Sequence, residues 1–211
     1  MFCCFKKTNK ISPIQCIYEQ IDRNTMEQLK NANKIIFCDE YNFPVINVPN
    51  NIQSINFNSR YFNHTLDNLP IGLKELNINQ RFNQTLDYLP QGLEKLQFKS
   101  GSIFNHTMEN LPNSLKLLEI PLLYNQSIDN LPNNIEELRI GVKNIINDDN
   151  MFCPESDNIG EIDVQHFNQK IRKLPNNIKK ILIFPEYEHL QELKQKYGNI
   201  VKVVDKTMYV Y

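Results

Sequence analysis

One unit of about twenty residues recurs along almost the whole chain, and a recurring unit that short leaves few folds open. Aligned on Leu-Pro, the copies read LPIGLKELNI from Leu69, LPQGLEKLQF from Leu89 and LPNSLKLLEI from Leu111. LPNNIEELRI from Leu131 and LPNNIKKILI from Leu174 follow, and VPNNIQSINF from Val48 is the same unit with Val for Leu. Each copy ends in an alternating apolar pair. The pairs run Ile35/Phe37, Ile55/Phe57, Leu76/Ile78, Leu96/Phe98, Leu118/Ile120, Leu138/Ile140, Ile162/Val164, Ile181/Ile183 and Val201/Val203, at intervals of 19 to 24 residues.

Alternation of this kind marks a half-buried strand with both apolar side chains on one face. A twenty-residue period has no room for a strand, two turns and a full helix, so the return path is expected to be extended or 3₁₀. One strand per turn, always running the same way, stacks into a parallel sheet. The expected fold is a leucine-rich-repeat-like solenoid: one curved sheet of about nine short strands, shaped as a horseshoe or a gently curved rod.

The period lapses once. Pro132 and Pro175 are separated by two periods, and Asn158–Val164 matches the apolar positions of Asn134–Ile140, which reads as a degenerate repeat carrying an Asn/Asp-rich insertion at about 142–157. The organisation expected is an N-terminal segment over 1–33, repeats over 34–184 and a C-terminal cap over 185–211. Ser12-Pro13 opens a helix with Ile14, Ile17, Tyr18 and Ile21 on one face, and Glu186–Tyr197 has the pattern of a second helix with Gly198 behind it.

Ahead of each Leu-Pro lies an aromatic residue followed by Asn. FNHTLDNLP, FNQTLDYLP, FNHTMENLP and YNQSIDNLP place Asn63, Asn83, Asn105 and Asn125 in glycosylation acceptor sequences. Asn42 and Asn168 keep the aromatic-Asn pair without the acceptor. The equal spacing predicts a buried Asn ladder binding backbone groups of adjacent coils, closed to glycan, beside an aromatic spine of Tyr41, Phe62, Phe82, Phe104, Tyr124 and Phe167.

The unit F-N-x-x-L-x-x-L-P-x-x-L-x-x-L-x-I, over roughly residues 41 to 184, resembles the FNIP repeat. This is a leucine-rich-repeat-like family abundant in social amoebae and in giant viruses that infect amoebae. Proteins of that family often carry an F-box ahead of the repeats, which implies substrate recruitment for ubiquitin ligation. Only some thirty residues precede the first repeat strand here, too few for the roughly 45 residues of an F-box.

Charge and cysteine content narrow the function classes. A net charge of −1 with 22 % charged residues favours neither nucleic acid nor an anionic membrane. The five cysteines lack zinc-site or disulfide-cap spacing and read as reduced thiols of a cytoplasmic protein, in the host cytoplasm if the protein is viral. Cys3 and Cys4 beside Lys6 and Lys7 leave a weak acylation signal, and no membrane contact is otherwise expected.

No nucleophile-base pair, phosphate loop, metal motif or cofactor signature appears. The reading is therefore a non-catalytic protein-interaction module, an adaptor without its F-box, with a structural protein of a viral or amoebal particle as the alternative. The outward strand face is the expected binding surface. Glu119, Glu137, Glu161 and Asp163 around Arg139, rimmed by Leu117, Leu182 and Phe184, form an expected acidic patch for a basic or amphipathic peptide.

Overall fold

The computed structural model describes residues 14–17, 19–38, 40–142 and 166–204. Among the described residues, nine strands form one parallel sheet in strict sequence order. They are β1 (Ile14–Ile17), β2 (Lys34–Phe37), β3 (Ser54–Phe57), β4 (Glu75–Ile78), β5 (Lys95–Phe98), β6 (Leu117–Ile120), β7 (Glu137–Ile140), β8 (Lys180–Ile183) and β9 (Val201–Val203). Every neighbouring pair is in the register the period dictates, so Ile35, Ile55, Leu76 and Leu96 stack in one column. Leu118, Leu138, Ile181 and Val201 continue it. The two inward columns are buried from β2 to β8 and lie in a single hydrophobic core.

The return path is built of turns. After each Leu-Pro or Val-Pro, the proline carbonyl accepts from the backbone N–H three residues on, at 3.0–3.4 Å in six coils. Proline has no N–H to leave unpaired at that corner, and its fixed φ aims the chain into the strand. Gly72 serves one such corner by close approach, since a Cβ there would meet the Asn50 carbonyl oxygen at 2.2 Å.

Behind the sheet runs the aromatic spine. Tyr41, Phe62, Phe82, Phe104 and Tyr124 are fully buried, with successive ring centroids 6.2, 6.2, 6.2 and 6.1 Å apart. Equivalent rings against the sheet, Phe37 and Phe57, are only 4.9 Å apart. The coils are thus spaced more widely at the spine than at the sheet, and the stack bends with the sheet on its inner, concave side. Phe167 stacks on Tyr187 at 5.7 Å, which carries the spine into the last coil.

Three expectations need correction. Residues 14–17 are a strand and not the first turn of a helix, and Gln15 and Ile17 pair with Ile35 and Phe37, one further step of twenty residues back. The helix α1 (Arg23–Leu29) follows instead, where Asp22 Oδ1 accepts from the Thr25 N–H and hydroxyl at 2.7 Å each. Asn51 of the next coil closes its far end by donating to the Leu29 and Ala32 carbonyls.

Secondly, β7 pairs directly with β8, so the expected strand does not stand between them in the sheet; the Ile162/Val164 pair itself lies outside the described residues. The long interval is a single coil with an insertion between β7 and Phe167. Its far end returns onto the previous coil, where Phe167 N–H donates to the Leu122 carbonyl at 2.6 Å.

Thirdly, α2 (Leu190–Tyr197) starts four residues later than its pattern, because Tyr187 is drawn into the spine and its hydroxyl donates to the Gln169 carbonyl at 2.7 Å. A 3₁₀ turn at Gly198–Ile200 then leads into β9.

Leu118→Asp should unfold the neighbouring coils, because a buried carboxylate without a partner costs several kcal/mol. Asn79→Ala should cost about 1–3 kcal/mol, since its buried amide donates to the Ser59 and Phe62 carbonyls at 2.6 and 2.9 Å. Urea denaturation followed by circular dichroism reads both.

Candidate interaction face

The sheet face that points away from the core carries residues fixed in space by the strands. It has two main rows. One runs Lys34, Ser54, Glu75, Lys95, Leu117, Glu137, Lys180 along the strand starts. The other runs Ile36, Asn56, Asn77, Gln97, Glu119, Arg139, Leu182 along the middle. A third, partial row of Lys74, Glu94, Lys116, Glu136 and Lys179 precedes the strands and joins them through ion pairs.

These charges form ladders across coils. Glu94 holds Lys74 at 3.2 Å and Lys116 at 2.7 Å, Glu136 holds Lys179 at 2.8 Å, and Glu75 holds Lys95 at 2.5 Å. Hydrogen bonds from Lys116 and then Lys74 keep the Glu94 carboxyl below its ordinary range. Glu137 takes Arg139 Nε at 2.7 Å and Lys180 Nζ at 3.5 Å. Burial alone would raise Glu137, but the Arg139 bond and the charges of Arg139 and Lys180 outweigh it, and its carboxyl lies below the usual range. Lys99 Nζ donates to Asn58 Oδ1 two coils away.

At Leu117 the alternation breaks. Lys95 and Glu137 flank it across the strands, and an open depression of about 330 Å³ is lined by Leu117, Lys95, Lys116, Glu137 and Lys180 among others.

The expected acidic patch is not what the described residues make. Glu119 is outward in register yet buried, 3 % exposed, with Gln97 Nε2 donating to it at 3.4 Å. Desolvation pushes its carboxyl up to about 8, against the smaller opposing pulls of Gln97 and Arg139, so at neutral pH it is mostly the uncharged acid. Concavity is the cause: side chains on the inner face of a bent sheet converge, and Asn56 and Asn77 in the same row are buried as well.

Phe184 is buried too, because the chain turns inward after β8 and packs the ring edge-on to Tyr187 at 6.2 Å and His166 at 5.8 Å. It also lies against Gly141, where a Cβ would stand 2.6 Å from Leu122 Cδ1 and 2.8 Å from the Phe184 ring and where the φ of +62° favours glycine. Leu117, Glu137, Arg139 and Leu182 do sit together on β6–β8 and are half-buried, whereas Glu161 and Asp163 lie outside the described residues. So do Cys3 and Cys4; Cys16 is half-buried, and Cys38 is buried with its Sγ donating to the Ile36 carbonyl at 3.6 Å.

The Asn ladder exists but on the surface. Asn83, Asn105 and Asn125 N–H groups donate to the Oδ1 of Asn63, Asn83 and Asn105 at 2.8, 3.2 and 2.9 Å. Asn63, Asn83 and Asn125 are exposed and Asn105 is half-buried, since each Oδ1 reaches along the stack while the neighbouring aromatic takes the interior. Asn42 and Asn168 are exposed and stand outside these bonds. Burial therefore does not close the four acceptor sequences to glycan.

A second ladder at the Leu-Pro corner escaped the sequence reading. Asn134 Nδ2 donates to the Asn113 carbonyl at 2.8 Å and Asn177 Nδ2 to Asn134 Oδ1 at 3.0 Å. The recurring Asn after Leu-Pro was its visible signal. On the turn before Leu131-Pro132, Asp129 Oδ1 accepts the Arg172 and Lys173 N–H groups of the next coil at 3.0 and 3.2 Å. His64 and His106 each bond the carbonyl of an Asn in the preceding coil, at 3.0 and 2.9 Å.

Comparison with known proteins agrees with this architecture. Residues 62–101 match the FNIP Repeat family model. Among solved structures, the chain is similar to CroV588 of the giant virus CroV, whose crystal structure is described as a novel circular leucine-rich-repeat protein. The likeness has 32 % identity and a TM-score of 0.55, and covers 72 % of this chain but 20 % of that one, so the chain spans a fifth of that protein's length. No curated protein matches.

Glu119→Gln isolates the buried acid. A folded-state value raised from 4.5 to about 8 means the fold holds the proton over that range, so this group's contribution falls as pH rises through it. The variant, which keeps the uncharged form, should gain in Tm over the wild type between pH 5 and 8 and hold that gain above. Asn83→Ala should cost only about 0.5–1 kcal/mol in urea denaturation, because water can replace the exposed ladder acceptor.

Proposed function

We propose that this FNIP-repeat chain is a non-catalytic protein-interaction scaffold whose concave sheet face is the binding surface. The observation that carries the reading is a contrast between the two sides of one sheet. Inward positions repeat the same chemistry coil after coil, Ile35, Ile55, Leu76, Leu96, Leu118 and Leu138, because the core demands it. Outward positions on the same strands change from Lys34 to Ser54, Glu75, Lys95, Leu117 and Glu137. Side chains held rigidly and varied individually are what recognition of a particular surface needs, and repeat solenoids characteristically bind along their concave side. The repeat fold itself is of the kind that typically serves as a scaffold.

Ahead of the repeats, Ile14–Ile17 and Arg23–Leu29 supply β1 of the same sheet and the helix α1.

A photo-crosslinking amino acid at Lys95 on the concave face, compared with one at Asn110 on the return path, tests the reading in lysate of the native cell. Discrete crosslinked partners should arise from position 95 and not from 110. The same partners captured from 110 alone would move the binding surface off the sheet.

A further inference from the structure

We infer that the concave face over β4–β8 takes an acidic peptide segment of another protein, with an apolar side chain seated over Leu117. The inference rests on the reading of the sheet face as the binding surface and specifies the chemistry of its partner.

Three observations carry it. Cations outnumber carboxylates in the paired ladders of this face: Lys74, Lys95, Lys116, Arg139, Lys179 and Lys180 against Glu75, Glu94, Glu136 and Glu137. Glu119, which would have offset one of them, is buried and mostly uncharged. The excess is local, since the chain as a whole carries −1.

The two signs also lie at different depths. Side-chain exposure is 46–68 % for the five lysines and 23–43 % for the four glutamates. An approaching partner meets ammonium groups first, with the carboxylates beneath them holding the lysines in place. Neighbouring glutamates also disfavour a uniformly charged phosphate backbone, so a peptide with spaced carboxylates fits better than nucleic acid.

The depression of about 330 Å³ supplies the third observation. It is open, walled by Lys95, Lys116, Lys179 and Lys180 with Glu94, Glu136 and Glu137 between them, and has the side chain of Leu117 where the alternation of charge along the strand starts would place an ion. Its volume is within the range of ligand clefts, roughly 300–1,000 Å³. An apolar floor ringed by four lysines and three less exposed glutamates suits a segment in which Leu or Phe stands between Asp and Glu.

Fluorescence anisotropy of the full chain tests this with three labelled probes: a short peptide alternating Glu, Asp and Leu, its Lys/Leu counterpart, and a short oligothymidylate. The acidic peptide should bind, and binding should weaken as ionic strength rises from roughly 0.05 to 0.2 M. Lys95→Gln with Lys116→Gln should lower its affinity roughly tenfold, and Leu117→Ser should lower it at unchanged salt dependence, with thermal melts confirming that both variants fold. Tighter binding of the basic peptide, displacement of the acidic one by oligothymidylate, or indifference to all three substitutions would overturn the inference.

The insertion is itself acidic, with Lys143 against Asp148, Asp149, Glu155, Asp157, Glu161 and Asp163. If the acidic probe bound only after those carboxylates were changed to amides, the face would belong to this chain's own segment and an external partner would be excluded. Crosslinking of a native partner at position 95 without any acidic-peptide binding would leave the interaction face standing and refute only the partner's chemistry.

Discussion

Like stacks on like at every level of this molecule, and the step between coils is the constraint from which the rest follows. At the sheet that step is set by backbone hydrogen bonds and the rings on it stand 4.9 Å apart; at the spine it is set by aromatic rings, and they stand 6.2 Å apart. Neither can yield to the other. Parallel strands cannot separate without losing their bonds, and the offset stacking of Phe62, Phe82 and Phe104 needs its own spacing. The mismatch is absorbed as curvature toward the sheet.

Curvature explains the chemistry of the sheet face. Convergence of side chains on the concave side buries Asn56, Asn77 and Glu119 in the middle row although they point away from the core. A carboxyl removed from water at that row keeps its proton, while lysines and Arg139 hold the Glu94 and Glu137 carboxyls below their ordinary range. The same geometry therefore makes one carboxyl silent and leaves the lysines dominant at the surface. A flat sheet with the same residues would expose Glu119 and present a more nearly balanced field.

Much of this was legible in the residues. The apolar pairs give strand positions from β2 to β8 and the parallel order, and the aromatic before each Asn marks the spine. The failures have physical causes. β1 was hidden because Gln15 stands where the other coils have Ile or Leu, although Ile17 keeps the twenty-residue beat to Phe37. The Ile162/Val164 pair misled because a short apolar alternation arises easily without the Phe-Asn and Leu-Pro that make a whole unit, and those two signals sit at Phe167 and Leu174. Alternation reports which way a side chain faces and not how deep it lies, so Glu119 and Phe184 were read as exposed. Depth depends on curvature and on where the chain goes after the strand, and neither is written in a period-two pattern.

Backbone amide hydrogen exchange of the native protein is the most direct test of stacked coils as the organising element. The account predicts the slowest exchange in β4–β7, with protection falling toward β1 and β9, which have one neighbouring strand each among the described residues. It further predicts slowed exchange at Asn83, Asn105 and Asn125, surface amides whose protons are held by the Asn of the coil before. Free exchange at those three amides, or protection that peaks at either end of the sheet, would contradict it.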